Sequence, residues 1–221
     1  MRKTAIILGA TGLTGNLLLW ELIEDDRYEI IKLFSRKKIE GLPSKVIQFI
    51  GNILELENFK NDFTADDVFC CIGTTLKKTP DKSVYKNIDF GIPVAAVKLS
   101  KANHIKTFIV ISAMGANSKS NLFYNKTKGE MEQAVLKEQI PNTYILRPSI
   151  IDGVRKEKRA LEKIGISFFK LMNPFLIGNL KKIRIIKAIT IAKAMLILAN
   201  SKPIKMKIIT SDKIQEITEL N

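Results

Sequence analysis

Seven apolar runs of strand length recur along the chain: TAIILGA, EIIKLFS, KVIQFI, DVFCCIG, TFIVIS, NTYILRP and MKIIT. Most are continuously apolar and do not alternate, the pattern of parallel strands covered on both faces. Between them lie segments with helical spacing, such as GNLLLWELIED, GIPVAAVKLSKANH and GEMEQAVLKEQ, which read as crossover helices. Strand and helix alternating in this way predict an α/β fold, a doubly wound parallel sheet, over residues 1–221 as a single domain. No repeat, low-complexity tract or linker divides the chain.

The pattern loosens after Arg147. Residues 152–186 mix charged and apolar pieces, with Asn173-Pro174, Gly178 and Lys170 interrupting the longest apolar stretch. That is too broken for a membrane span. It reads as a small C-terminal lid over a site, with peripheral membrane contact or a dimer contact as the alternatives.

Charge sharpens this division. The net charge is +14, and the last third carries most of it: residues 153–221 hold 15 Lys and Arg against 5 Asp and Glu. Such a field favours a small anionic substrate, an acidic membrane surface or nucleic acid. The basic residues are not interleaved with stacking aromatics, so no nucleic-acid partner is expected. The N-terminus, MRKTAIILGATG, lacks a secretory pattern and reads as that of a cytoplasmic protein. Cys70 and Cys71 are adjacent in an apolar run, and with the single His104 they offer no metal-ligand spacing. All three are expected to be structural, and no metal is expected.

Candidate chemistry starts at the first strand. GATGLTG, comprising Gly9, Thr11, Gly12, Leu13, Thr14 and Gly15 with Ala10, follows that strand and opens a helix. In a Rossmann fold the three glycines permit the tight turn, the approach of a pyrophosphate and close helix packing. The second strand ends in SRKK, with Ser35 where an NAD-binding protein usually has an acid, and Arg36 and Lys37 behind it. No carboxylate repels a 2′-phosphate and Arg36 can clamp one, so NADP(H) is the expected cofactor. Asn52 and Ile53, after the third strand, are expected to flank the adenine. Cys71, Gly73, Thr74 and Thr75, in CCIGTT at the end of the fourth, are expected to run beside the cofactor.

Ser112 ends the fifth strand, and Tyr124 and Lys128 come after it one helical turn apart, on one helix face. A nearby ammonium stabilises a phenolate, which otherwise forms only near pH 10. GATGLTG, SRKK, CCIGTT, ISAMGANSKSNLFYNKTKGEME and LRPSIIDG succeed one another over about residues 4–153. In these the chain resembles the atypical short-chain dehydrogenase/reductases related to the Tat-interactive protein of animals, including bacterial relatives labelled nucleoside-diphosphate-sugar epimerases.

The resemblance implies a Rossmann domain holding NADPH, with Ser112, Tyr124 and Lys128 catalytic. Lys128 would also hold the nicotinamide ribose, and Arg147, Pro148 and Ile150 would border the nicotinamide. Two departures stand out. Ala113 comes after Ser112 where relatives often have a second serine, and the asparagine that completes the family's catalytic set has two candidates, Asn87 and Asp89. The leading expectation is an NADPH-dependent oxidoreductase that reduces a carbonyl with Tyr124 as proton donor. The alternatives are an NADPH-sensing regulatory binding protein and a nucleotide-sugar epimerase or dehydratase.

Overall fold

Period-two alternation decides which core each strand residue joins. In β1 (Lys3–Leu8), Ala5 and Ile7 face one layer of helices, while Ile6 and Leu8 face the other. The computed structural model describes residues 2–152 and 182–220. Around β1 stand β2 (Tyr28–Ser35), β3 (Val46–Ile50), β4 (Asp67–Cys70), β5 (Thr107–Ile111) and β6 (Asn142–Arg147). A short parallel pair, β7 (Ile151–Asp152) with β8 (Ile186–Lys187), lies apart, and β9 (Ile208–Thr210) closes the main sheet.

The sheet order is β3-β2-β1-β4-β5-β6-β9, and every neighbouring pair is parallel. The chain therefore winds outward from β1 to β3, returns to β4 beside β1, and winds outward the other way. That reversal puts a crevice at the carboxyl ends of β1 and β4, where ligands bind in open α/β sheets. All seven strands expected from the apolar runs are present.

α1 (Leu13–Glu24) covers one face with α5 (Ala188–Asn200) and α6 (Ser211–Glu219), through Leu18, Leu19 and Leu22 against Ile191, Met195 and Ile214. The other face is covered by α3 (Ile92–Ala102) and α4 (Phe123–Lys137), through Ile92, Ala96, Val97, Met131 and Val135. α2 (Lys82–Lys86) runs into α3 through a π-helical turn at Asn87–Gly91. Asp81 caps α2, its carboxylate accepting from the Ser83 and Val84 amides. The expected lid over 152–186 lies outside the described residues except at its ends, where the β7–β8 pairing holds Asp152 next to Lys187.

Candidate active site

β1 delivers the glycine loop to the crevice. Gly9 has φ +87°, and a Cβ there would lie 2.8 Å from the Cys71 carbonyl oxygen. A Cβ at Gly15 would lie 2.2 Å from the Gly9 carbonyl oxygen, so only hydrogen fits at either point. Thr11 and Gly12 are exposed at the turn, Leu13 is half-buried and Thr14 is buried. No side chain caps the start of α1. A helix N-terminus uncapped in this way, behind a glycine-rich loop, suits a pyrophosphate.

At the end of β2 the Ser35 hydroxyl donates to the Lys37 carbonyl at 2.8 Å, which folds SRKK into a turn with Arg36, Lys37 and Lys38 exposed. Lys38 pairs with Glu40 at 3.3 Å, which leaves Arg36 and Lys37 facing outward at the strand end. Asn52 accepts from the Leu54 amide at 3.1 Å, capping a 3-10 helix, Ile53–Phe59. Ile53 packs against the second core. At the end of β4 the Cys71 amide donates to the Leu8 carbonyl at 2.8 Å, joining the two strands that flank the crevice. Thr75 accepts backbone bonds from Lys78 and Thr79, closing the next turn.

Lys128 and Asp89 form a buried ion pair. Lys128 Nζ lies 2.8 Å from Asp89 Oδ1, with side chains 4% and 1% exposed. Asp89 Oδ2 accepts the Thr74 amide at 2.8 Å, so one carboxylate ties α4 to the loop after β4. Gly73 adjoins both, its virtual Cβ 3.7 Å from Asp89 Oδ1 and 3.9 Å from Lys128 Nζ. The fully buried Tyr85 stands beside the same carboxylate, and its hydroxyl has no hydrogen-bond partner of full geometry among the described residues. Burial, the Asp89 charge and Tyr124 together push its phenol well above the usual range. Tyr124, one turn before Lys128, is 39% exposed.

Ser112 is engaged elsewhere. Its hydroxyl donates to Glu132 Oε1 at 2.5 Å in the interior. Glu132 also takes both arms of Arg147, from Nε at 2.9 Å and from Nη2 at 2.5 Å. That pairing holds the Arg147 guanidinium above its usual pKa. A serine has one hydroxyl proton, so while Glu132 takes it Ser112 has none to give a substrate oxygen. Arg147, Asn117, Ser118 and Gln133 line a cavity of about 240 Å³ beside α4. The Pro148 carbonyl accepts from Met114 at 3.0 Å, and the Ile150 carbonyl accepts from Ile186 at 3.0 Å with its side chain exposed.

The structure therefore brings Gly73, Thr74 and Lys128 together with Asp89, one of the two candidates for the fourth catalytic position, and adds Tyr85. It groups Ser112 with Arg147 and Glu132 in a second cluster. Tyr85 and Asp89 share the four-residue spacing of Tyr124 and Lys128, and Asp89 is the last acid before Glu130. That isolation in a basic stretch was the available signal. Both cysteines are free. Cys70 is buried, its thiol pushed up to about 11 by desolvation, and burial raises Cys71 as well.

No family model matches the chain. Among curated proteins it is 32% identical over 178 residues to protein FMP52-1, mitochondrial, of Scheffersomyces stipitis, covering 77% of each chain. It is 30% identical over 171 residues to protein HTATIP2 of Rattus norvegicus, covering 76% of this chain and 70% of that one. Among solved structures it resembles UDP-glucose 4-epimerase of Thermotoga maritima, with TM-score 0.69 at 14% identity, over 98% of this chain and 82% of the other. It also resembles WbmG of Bordetella bronchiseptica, solved with NAD, with TM-score 0.70 at 12% identity, over 100% of this chain and 77% of the other. At these identities the structural likeness is one of fold.

The comparisons correct one expectation. A cytoplasmic location was expected because the N-terminus lacks a secretory pattern, yet the FMP52 relatives are named mitochondrial. The secretory pattern reports on one export route only, so its absence did not support the cytoplasm. With the sheet order, the glycine loop and these relatives together, the chain belongs to the family of FMP52 and HTATIP2, the atypical short-chain dehydrogenase/reductases with a Rossmann fold.

Proposed function

We propose that the protein is an NADP(H)-dependent oxidoreductase that reduces a carbonyl with Tyr124 as proton donor. The observation that carries this is the buried Lys128–Asp89 pair beside Gly73, one helical turn from the half-exposed Tyr124. The loop of Gly9, Gly12 and Gly15 and the start of α1 would hold the pyrophosphate. Arg36 and Lys37 would hold the 2′-phosphate at the end of β2. When bound, the cofactor supplies the hydride.

The chain's own residues handle the proton. An ammonium has three donors; Lys128 meets Asp89 as an ion pair and would have donors for the ribose. Tyr124 meets the substrate oxygen and gives up its proton, helped by the positive charge one turn away. Ser112 stays with Glu132, so Tyr124 carries the oxygen contact without it.

That engagement of Ser112 also favours a second reading. A protein that binds NADP(H) to regulate a partner needs the nucleotide loop and not a substrate-orienting hydroxyl. Titration of the purified protein with NADPH and with NADH, alongside Tyr124→Phe and a carbonyl panel, separates the two. Tighter binding of NADPH, with turnover that disappears in Tyr124→Phe, supports the enzyme. Tighter binding of NADPH with no turnover on the panel supports the regulator. Preference for NADH overturns the assignment of Arg36 and Lys37.

A further inference from the structure

Large apolar side chains left exposed are ordinary when scattered and informative when gathered. Leu76, Met114, Leu122 and Ile150 are 42%, 41%, 66% and 40% exposed. Each lies past the carboxyl end of β4, β5 or β6, Leu122 immediately before α4. Contacts join these segments. The Met114 amide donates to the Pro148 carbonyl at 3.0 Å, and a Cβ at Gly115 would lie 3.3 Å from the Asn125 side-chain nitrogen on α4. The Thr74 amide, two residues before Leu76, meets Asp89 beside Lys128. The four apolar residues therefore stand at the same end of the sheet as Tyr124, on the segments next to it.

Polar side chains at this rim are occupied. Asn117 accepts from the Lys119 amide at 2.9 Å and Ser120 from the Leu122 amide at 3.1 Å, so both serve their own loop. Ser112 donates to Glu132. A sugar would need such groups for its hydroxyls, because a buried hydroxyl without a partner is costly. Positive charge is present instead. Lys77 follows Leu76, and Lys126 sits one turn beyond Leu122, its amide bonded to the Leu122 carbonyl at 2.9 Å. Both lysines are exposed, and among the described residues neither forms an ion pair. The acids at this end are engaged: Asp81 caps α2, Asp89 faces Lys128, and Glu130 meets Lys86 at 2.7 Å.

We propose that the carbonyl substrate is an amphipathic anion, an aliphatic chain with the carbonyl at one end and a carboxylate at the other. The chain would lie along Leu76, Met114 and Leu122, with the carbonyl at Tyr124 and the carboxylate toward Lys77 and Lys126. Each methylene taken fully from water strengthens binding about fourfold. An exposed lysine adds little at physiological salt, so the chain supplies most of the affinity and the lysines its orientation. The proposal rests on Tyr124 as the proton donor. Aldehyde, NADPH and one proton give alcohol and NADP+, so the step needs no further reactant.

The test compares 10-oxodecanoate with 4-oxobutanoate, aldehydes with the same two end groups, in the full-length protein with NADPH. The longer chain should raise kcat/KM at least about tenfold. Leu122→Ser should narrow that ratio. Lys126→Gln should bring 10-oxodecanoate down about threefold, toward decanal, which has the chain and no acid. Both side chains are exposed, so thermal melts of the variants should match the parent. Equal kcat/KM for the two oxo acids, equal values for 10-oxodecanoate and decanal, or a ratio unmoved in Leu122→Ser overturns the proposal. Isothermal titration with decanoate and butyrate, which carry no aldehyde, separates it from the enzyme reading. If no aldehyde turns over, yet decanoate binds more tightly than butyrate and less tightly in Leu122→Ser, Tyr124 fails as donor and the ligand class stands. Equal binding of decanoate and butyrate overturns the ligand class. Association with phosphatidylglycerol vesicles without binding of monomeric decanoate also overturns it and assigns the rim to a membrane surface.

Discussion

At the amino end of β4, Asp67 accepts from Lys3 Nζ at 3.0 Å and from the Tyr28 hydroxyl at 2.7 Å. Beyond its carboxyl end, Asp89 faces Lys128 at 2.8 Å with Tyr85 beside it. Both carboxylates are buried, and both trios use the same three residue types. The first is closed on itself: Lys3 also donates to the Ala199 carbonyl at 2.8 Å, and Asn200 donates to the Tyr28 hydroxyl at 3.0 Å. It staples β1, β2, β4 and α5 together. The second has a hydroxyl without a full partner, a glycine for a neighbour and an exposed tyrosine one turn away. The two carboxylates are thus alike in burial and charge, and completeness separates a staple from a site.

The largest effect should come from the two tyrosines. Tyr124→Phe is expected to lower turnover at least ~100-fold, the usual worth of a positioned acid, with an unchanged melting temperature. Tyr28→Phe should leave turnover alone and cost about 1 kcal/mol of stability, the net worth of a hydrogen bond. NADPH oxidation with an active carbonyl and thermal melts of both variants read the two quantities. If Tyr28→Phe lost activity, or Tyr124→Phe lost stability alone, the two trios would not divide as argued.

Removing one charge comes next. Asp89→Ala strands a buried ammonium and should cost about 3 kcal/mol. Lys3 is 30% exposed, so Lys3→Ala should cost only about 1 kcal/mol, since water reaches that end. Urea midpoints at constant slope give both values. Equal losses would mean that the active-site end is as wet as the staple.

A smaller effect tests the cofactor end alone. Arg36→Ala should weaken NADPH about tenfold, ~1.4 kcal/mol, and leave NADH unchanged. The stabilisation conferred by NADPH should fall with it, while Lys3→Ala keeps the full increment. Isothermal titration and melts with each nucleotide check this.

How legible each end was depends on the range of the interaction. The strands were visible because continuous apolar runs such as DVFC report burial on both faces whatever their neighbours. The glycine loop was visible because its chemistry is largely local, with Gly15 excluded from bearing a side chain by the Gly9 carbonyl six residues earlier, although the Cys71 carbonyl that crowds Gly9 comes from the end of β4. The Tyr124–Lys128 pair was visible from helical spacing. Asp89 was left undecided against Asn87, because a π turn shifts the helical phase and no spacing rule carries through it. Glu132 was missed altogether. Its partners Ser112 and Arg147 come from the ends of two different strands, and only the tertiary fold shows that it takes the Ser112 proton.

The last effect is absent at neutral pH and appears in alkali. Folding raises the Cys70 thiol from 9.0 to about 11 because burial penalises the thiolate. The folded chain thus holds this proton at pH values where the unfolded chain has released it. The stability it contributes is complete below pH 9 and is lost as pH rises from 9 towards 11, by at most about 1.4 kcal/mol per unit. Tyr28, raised by burial and then by the Asp67 charge, adds its own loss from about pH 10, where an unfolded phenol begins to ionise. Urea midpoints across this range should fall less steeply in Cys70→Ala from pH 9 and in Tyr28→Phe only from about pH 10. If Cys70→Ala kept the parental slope, the thiol would be reached by water, and the floor of the crevice beneath Lys128 and Asp89 would be open. The contrast between the staple and the active-site pair would then have to be drawn from exposure at Tyr124 alone.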